Sequence, residues 1–221
     1  MKQFYSKFIS PGDLVFDIGA NRGDRTELFV QMNARVVAVE PIPGLASRLQ
    51  SIFRYSPVSV EAAGVGSRPG TLPLHVCSAS ECSSFSDEFV DVFSQKHPSF
   101  NWDAVELVPI VTMDALLRKH GPPAFAKVDV EGYEREVLAG LTIPVPALSF
   151  EVRPYDSITT ASTVSQHLAR LARYEFNLSL EESFVYVLPQ WVDGDSLLRA
   201  LRDLPPDSWN FLDVYARRTD V

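Results

Sequence analysis

Three features of the sequence predict a three-layer α/β fold around a largely parallel sheet. Short apolar runs at residues 14–18, 35–41, 58–65, 124–130 and 147–152 have the length and composition of core strands. Segments with apolar residues at helical spacing alternate with them, the order that builds parallel sheets. The rhythm changes near the end, where two extended runs around a short helix suit an antiparallel edge. The chain has 221 residues, 46% hydrophobic and 22% charged, enough for one substantial domain with its own core. No repeat, low-complexity tract or linker divides it, so residues 1–12 read as a lead-in and 13–221 as one domain.

Pro11-Gly12 closes the lead-in with a turn signal. The first strand, 14–18, opens into Gly19-Ala20-Asn21-Arg22-Gly23, and a helix follows from Thr26. The second strand, 35–41, stops at Pro41, and a helix over 44–54 puts Leu45, Leu49, Ile52 and Phe53 on one face. A third strand covers 58–65. Pro73 sends the extended piece 71–76 to a sheet edge, since proline lacks the donor that a central strand uses. Residues 77–104 carry Ser and Cys first and aromatics later, the composition of a lid or substrate-facing insertion.

An extended run at 105–112 leads to a helix over 113–119, which Gly121-Pro122-Pro123 ends. The next core strand, 124–130, meets a helix opened by Glu131-Gly132, with Tyr133, Val137, Leu138 and Leu141 on one face. The fifth core strand is 147–152, and a helix spans 159–174. Extended runs at 184–188 and 209–215 flank a short helix at 195–202.

Bulk properties narrow the function. The net charge of −8, with no long basic run, points away from nucleic acid or an anionic membrane surface as main partner. Cys77 and Cys82 are too few for a disulfide scaffold, so a reducing cytoplasm is the expected compartment. The first residues lack the apolar stretch of a signal peptide, and no run approaches the roughly 18 apolar residues of a membrane span. Oligomeric state is not readable.

The chemistry concentrates at strand ends, where open α/β sheets bind ligands. The loop after the first strand has glycine at 19 and 23 but Asn21 where a dinucleotide fold places its second glycine. No G-K-[ST] follows, so a phosphate-cradling loop is excluded and a nucleoside without pyrophosphate fits better. Asp17 ends the strand beneath it, placed to bind an ammonium group or to orient the loop. Glu40, about twenty residues beyond the loop, is placed to accept both hydroxyls of a ribose. Ala62 and Ala63 are small enough to leave room for an adenine ring.

The third signal is Lys127-Val128-Asp129-Val130-Glu131. In a strand its alternate members share a face, and three ionisable groups there must pair, bind a ligand or reach solvent in a cleft. Glu151 ends the neighbouring strand. Lys127 with a lowered pKa, Glu131 or Glu151 could act as general base. Asp129, Glu131 and Glu151 have the oxygen chemistry of a magnesium site, but Lys127 already supplies positive charge and no metal is expected.

These residues, together with Val39-Glu40-Pro41, Thr112-Met113-Asp114 and the full Lys127-Val128-Asp129-Val130-Glu131-Gly132-Tyr133-Glu134 block, resemble the ordered signatures of FkbM-type methyltransferases, class I enzymes that use S-adenosylmethionine. The resemblance runs from about residue 13 to 153. It implies a seven-stranded, mostly parallel sheet with an antiparallel C-terminal hairpin. It also implies methyl transfer, most often to a hydroxyl of a small molecule or sugar. Carried over by position, Asp17, Gly19, Ala20, Asn21 and Gly23 would line the methionine and ribose portions of the cofactor. Glu40 with Pro41 would hold the ribose, and Asp129 would lie near the sulfonium. Lys127, Asp129, Glu131 and Glu151 are the catalytic candidates. Met113 stands where the family more usually has leucine. The competing reading is a catalytically inactive nucleoside-binding module that acts through a partner protein.

Overall fold

The computed structural model describes residues 1–220. In chain order the elements are α1 (Lys2–Tyr5), β1 (Leu14–Ile18), α2 (Asp24–Val30), β2 (Arg35–Val39), α3 (Pro43–Ile52), β3 (Val58–Glu61), β4 (Gly64–Val65) and β5 (Gly70–Val76). There follow α4 (Asp87–Lys96), β6 (Ala104–Val111), α5 (Met113–His120), β7 (Phe125–Val128), α6 (Glu134–Ala139) and β8 (Ala147–Val152). The chain ends with α7 (Ser157–Leu171), β9 (Tyr174–Leu180), α8 (Gly194–Asp203) and β10 (Leu212–Arg218).

The main sheet has seven strands in the order β3-β2-β1-β7-β8-β10-β9, and β10 runs antiparallel to both of its neighbours. The chain builds outward from β1 to β3 and then returns to add β7 on the other side. The switch point therefore lies between β1 and β7, and a crevice opens beyond their carboxyl ends. The fold is the expected mostly parallel α/β sheet with antiparallel C-terminal strands.

Alternation along the strands assigns the two faces. Phe16, Ile18, Val37, Val128, Leu148 and Phe150 pack with residues of α5, α6, α7 and α8 in the larger core. Val15, Val36, Phe125 and Tyr215 face the other way, onto Phe4, Tyr5 and Phe29. Lys127 is the register partner of Asp17 and shares this second face, so a polar seam runs along an otherwise aromatic layer. The lead-in is part of this core, since Phe4 and Tyr5 are buried.

A second sheet of three strands, β4-β6-β5, flanks the first, and Pro73 lies on its edge strand as expected. The run 58–65 is therefore two strands in two sheets. The chain turns away at Ala62-Ala63, and Gly64 sits where a Cβ would stand 2.6 Å from the Phe85 ring. Residues 77–104 contain α4, started by the Ser86 hydroxyl accepting the Phe89 N–H. The helix expected from Glu131 begins at Glu134, because Glu131 and Gly132 take left-handed conformations, φ 56° and 89°. The helix expected to reach Tyr174 stops at Leu171, and Tyr174-Glu175-Phe176-Asn177-Leu178 alternates as a strand. Residues 184–188 make only an isolated bridge to β9, so β9 and β10 are the antiparallel pair. No helix among the described residues is long and apolar enough to cross a membrane.

Candidate active site

The loop after β1 is shaped by three left-handed residues, Gly19 (φ 84°), Asn21 (φ 46°) and Gly23 (φ 93°). Glycine is obligatory at 19 for a second reason: a Cβ there would stand 1.8 Å from the Asp129 carbonyl oxygen. The two loops at the switch point thus touch backbone to backbone. Asn21 accepts the left-handed conformation more readily than most side chains, which explains a non-glycine at that position.

Glu40 is the loop's anchor. Its carboxylate accepts the Asn21 N–H at 2.7 Å and the Ile42 N–H at 2.8 Å. Burial pushes its pKa up to about 7 against these two hydrogen bonds. Each oxygen keeps a second lone pair for a ligand hydroxyl. Asp17 is fully buried; one oxygen accepts the Thr26 hydroxyl at 2.6 Å and the other has no partner. Burial raises the Asp17 pKa, with Lys127 acting in the opposite sense.

The polar row at the end of β7 is less regular than strand alternation implies. The strand ends at Val128, and Asp129 and Glu131 reach the crevice from a turn. Lys127 places its ammonium 2.6 Å from Asp129 Oδ2. Burial opposes that charge, but Asp129 and Asp17 outweigh it and hold the lysine pKa above its ordinary value. Lys127 is therefore a fixed cation, and the lowered pKa that would make it a base is absent. Asp129 is held below the usual carboxylate range because Lys127 outweighs its burial.

Burial raises the Glu131 pKa to about 7, with Arg153 opposing. Arg153 pairs with Glu131, and its Nη2 also lies 2.8 Å from Glu151 Oε1, at an angle outside hydrogen-bonding geometry. Asp129, Glu131 and Glu151 bring oxygens within 4.8 Å of one another, and Lys127 and Arg153 are the cations among them.

Residues 80–89 close the crevice from above. Ser80 donates its hydroxyl to Asn21 Oδ1 at 3.1 Å, and Ser84 donates to the Glu131 carbonyl at 2.6 Å. Phe89 packs against Gly132, where a Cβ would approach to 2.9 Å, and the Arg153 guanidinium lies 5.1 Å above the Phe89 ring.

The resulting cleft has a volume of about 320 Å³. Of the residues expected to form it, Asp17, Gly19, Ala20, Asn21, Glu40, Pro41, Ala63, Lys127, Asp129 and Glu131 all line it. Gly23 does not; it packs against Leu49 and Phe53 and starts α2. Ala62 is exposed, and Glu151 sits behind Arg153 rather than on the cleft wall. Phe85 is an apolar wall of the cleft, whereas the Trp102 indole donates to the Cys82 carbonyl away from it. Arg25 and Glu182 are additions, joined at 2.5 Å across 157 positions of sequence, with no local signal to reveal them.

The family model for the methyltransferase FkbM domain matches residues 17–178. The chain belongs to the FkbM methyltransferase family. It is a methyltransferase that uses S-adenosylmethionine. No curated protein matches its sequence. Among solved structures it is similar to a precorrin-6y C5,15-methyltransferase from Geobacter metallireducens GS-15, at 11% identity and TM-score 0.48, covering 99% of this chain and 86% of that one. It is also similar to a TehB-like methyltransferase from Corynebacterium glutamicum, at 9% identity and TM-score 0.48, covering 99% and 86%. A third is Aeropyrum pernix fibrillarin with natively bound S-adenosyl-L-methionine, at 10% identity and TM-score 0.47, covering 94% and 67%.

Acids outnumber bases in the FkbM cleft. Seven carboxyl-bearing and three cationic residues line it, a balance that suits a cationic ligand.

Proposed function

We propose that this methyltransferase methylates a hydroxyl oxygen of a small molecule or sugar, with Glu131 as the general base. The observation that carries this reading is Glu131 itself. It is a carboxyl on the cleft wall, with a pKa near 7 and therefore matched to neutral operation. An alcohol is a weak nucleophile until its proton is taken, so a base in this position is what O-methylation requires.

Bound S-adenosylmethionine supplies an electrophilic methyl on a sulfonium. Glu40 would accept the ribose hydroxyls, Asp17 would take the methionine ammonium, and Ala20 and Ala63 would leave room for the adenine. Asp129, charged through its pairing with Lys127, would lie toward the sulfonium. Glu131 would receive the acceptor's proton as the methyl passes from sulfur to the acceptor oxygen. Arg153 steadies the Glu131 carboxylate, and Glu151 balances Arg153 from behind. Residues 77–104 act as the lid over the acceptor, whose polar walls include Ser80, Ser83 and Glu182. Such walls suit a hydroxylated acceptor better than a flat apolar one.

The alternative, an inactive binding module, is not favoured: the chain is a family methyltransferase and keeps its full row of ionisable groups. A reducing cytoplasm belongs to this reading, supported by two free cysteines. Purified protein given S-adenosylmethionine and a panel of polyols, sugars, amines and thiols tests it. Mass spectrometry should find a methylated alcohol, and products confined to amines or thiols would refute it.

A further inference from the structure

The sheet has a second cavity at the end opposite the cleft, where β7 and β8 begin. Its volume is about 350 Å³, within the range of small-molecule sites. Three rings line it, from Phe8, Tyr186 and Trp191, together with three cations, Lys7, Arg217 and Arg218. Among the described residues no carboxylate lines it, although the chain as a whole carries a net charge of −8.

The cations are held by rings and by acids outside the cavity lining. Arg217 lies 4.4 Å above the Trp191 ring and pairs with Glu175 at 3.1 Å. Arg218 pairs with Asp220 at 2.7 Å. Lys7 stands 4.1 Å from the Tyr186 ring centre and 4.8 Å from that of Phe4, and forms no ion pair among the described residues. The Tyr186 hydroxyl is buried without a hydrogen-bond partner. A buried donor without an acceptor is costly, and an anion in the cavity would relieve it.

We propose that this cavity binds a small organic anion, a phosphate or carboxylate carried on a flat aromatic body. The rings hold the body by stacking and edge contacts, and the cations with the Tyr186 hydroxyl hold the head. The site is separate from the cleft and does not depend on the identity of the methyl acceptor.

Phenyl phosphate is the probe, titrated calorimetrically into the full chain with and without saturating S-adenosylmethionine. One equivalent should bind in both conditions, and inorganic phosphate and phenol should each bind at least about tenfold more weakly. The double variant Lys7→Gln/Arg217→Gln should weaken phenyl phosphate by about tenfold or more while leaving cofactor affinity unchanged. In the unmodified protein the Trp191 indole N–H resonance should shift on titration, a readout that needs no variant to fold. Absence of binding, loss of binding when the cofactor is present, equal affinity for inorganic phosphate, or an unmoved Trp191 resonance would each overturn the proposal.

Discussion

Lys127 places its ammonium 2.6 Å from Asp129 Oδ2 and is the register partner of Asp17 across β1 and β7. One buried cation thus serves the buried Asp17 and the partly exposed Asp129 at the switch point. Removing it leaves both acids without their main counter-charge. Lys127→Met should destabilise the chain by roughly 3–5 kcal/mol, as breaking a buried ion pair does. Urea denaturation measures this, and a loss under about 1 kcal/mol would show that water already satisfies the acids.

Glu40 anchors the glycine loop and, in the proposed reaction, holds the ribose of the cofactor. Glu40→Ala should weaken S-adenosylmethionine by about 10- to 100-fold, the worth of hydrogen bonds to a charged group. Its pKa near 7 adds a pH signature. If the diol binds the ionised form, affinity should fall below pH 7 by up to about tenfold per unit. Glu40→Gln should flatten that dependence. Calorimetry between pH 5.5 and 8 reads both effects.

Stability should respond to pH in the opposite sense to a salt-bridged carboxylate. Burial raises Glu134 from 4.5 to about 8, although its carboxyl accepts the Val130 and Gly132 N–H groups. Between these two values the folded chain holds more protons than the unfolded one, so stability falls as pH rises. Glu131 and Asp213, both raised to about 7, add to the same trend. The melting temperature of the ligand-free protein should drop by several degrees from pH 5 to 8. Glu134→Gln should reduce that slope, and an unchanged slope would exclude Glu134 as a contributor.

Much of the site could be read from residue order because its parts are local. Gly19 and Asn21 carry the loop's conformation in their own identities. Glu40 and Lys127-Val128-Asp129 lie within a few residues of strand ends that hydrophobicity alone reveals. What escaped was non-local or conformational. Arg153 belongs to none of the sequence motifs, and only folding brings it against Glu131 and the Phe89 ring. The left-handed turn at Glu131-Gly132 delays α6 by three residues, and Phe89 packs against Gly132 where a Cβ would stand. The strand at Tyr174–Leu180 was hidden by the apolar helix that precedes it, although its period-two pattern is plain. α4 was masked in a serine-rich stretch, where Ser86 is the cap that starts it.

Gly19 gives a sharper structural test. A Cβ at this position would meet the Asp129 carbonyl oxygen at 1.8 Å, and the left-handed φ of 84° adds strain. Gly19→Ala should cost more than about 2 kcal/mol and abolish measurable cofactor binding, since backbone cannot yield as a side-chain tip does. Gly44→Ala is the control: nothing stands within 4 Å of its Cβ position and it lies in α3, so no loss is expected. Thermal melts and cofactor titration of the two variants separate the cases.

In the proposed reaction this cleft moves a methyl group onto a hydroxyl oxygen whose proton Glu131 removes. Its most direct test gives methyl-¹³C S-adenosylmethionine and a hydroxylated acceptor to the wild type and to Glu131→Gln, following product by NMR. The account predicts a labelled methyl ether from the wild type and a rate about 10²- to 10⁴-fold lower in the variant, with cofactor affinity unchanged. Label appearing on nitrogen, sulfur or carbon, or a variant as fast as the wild type, would contradict it.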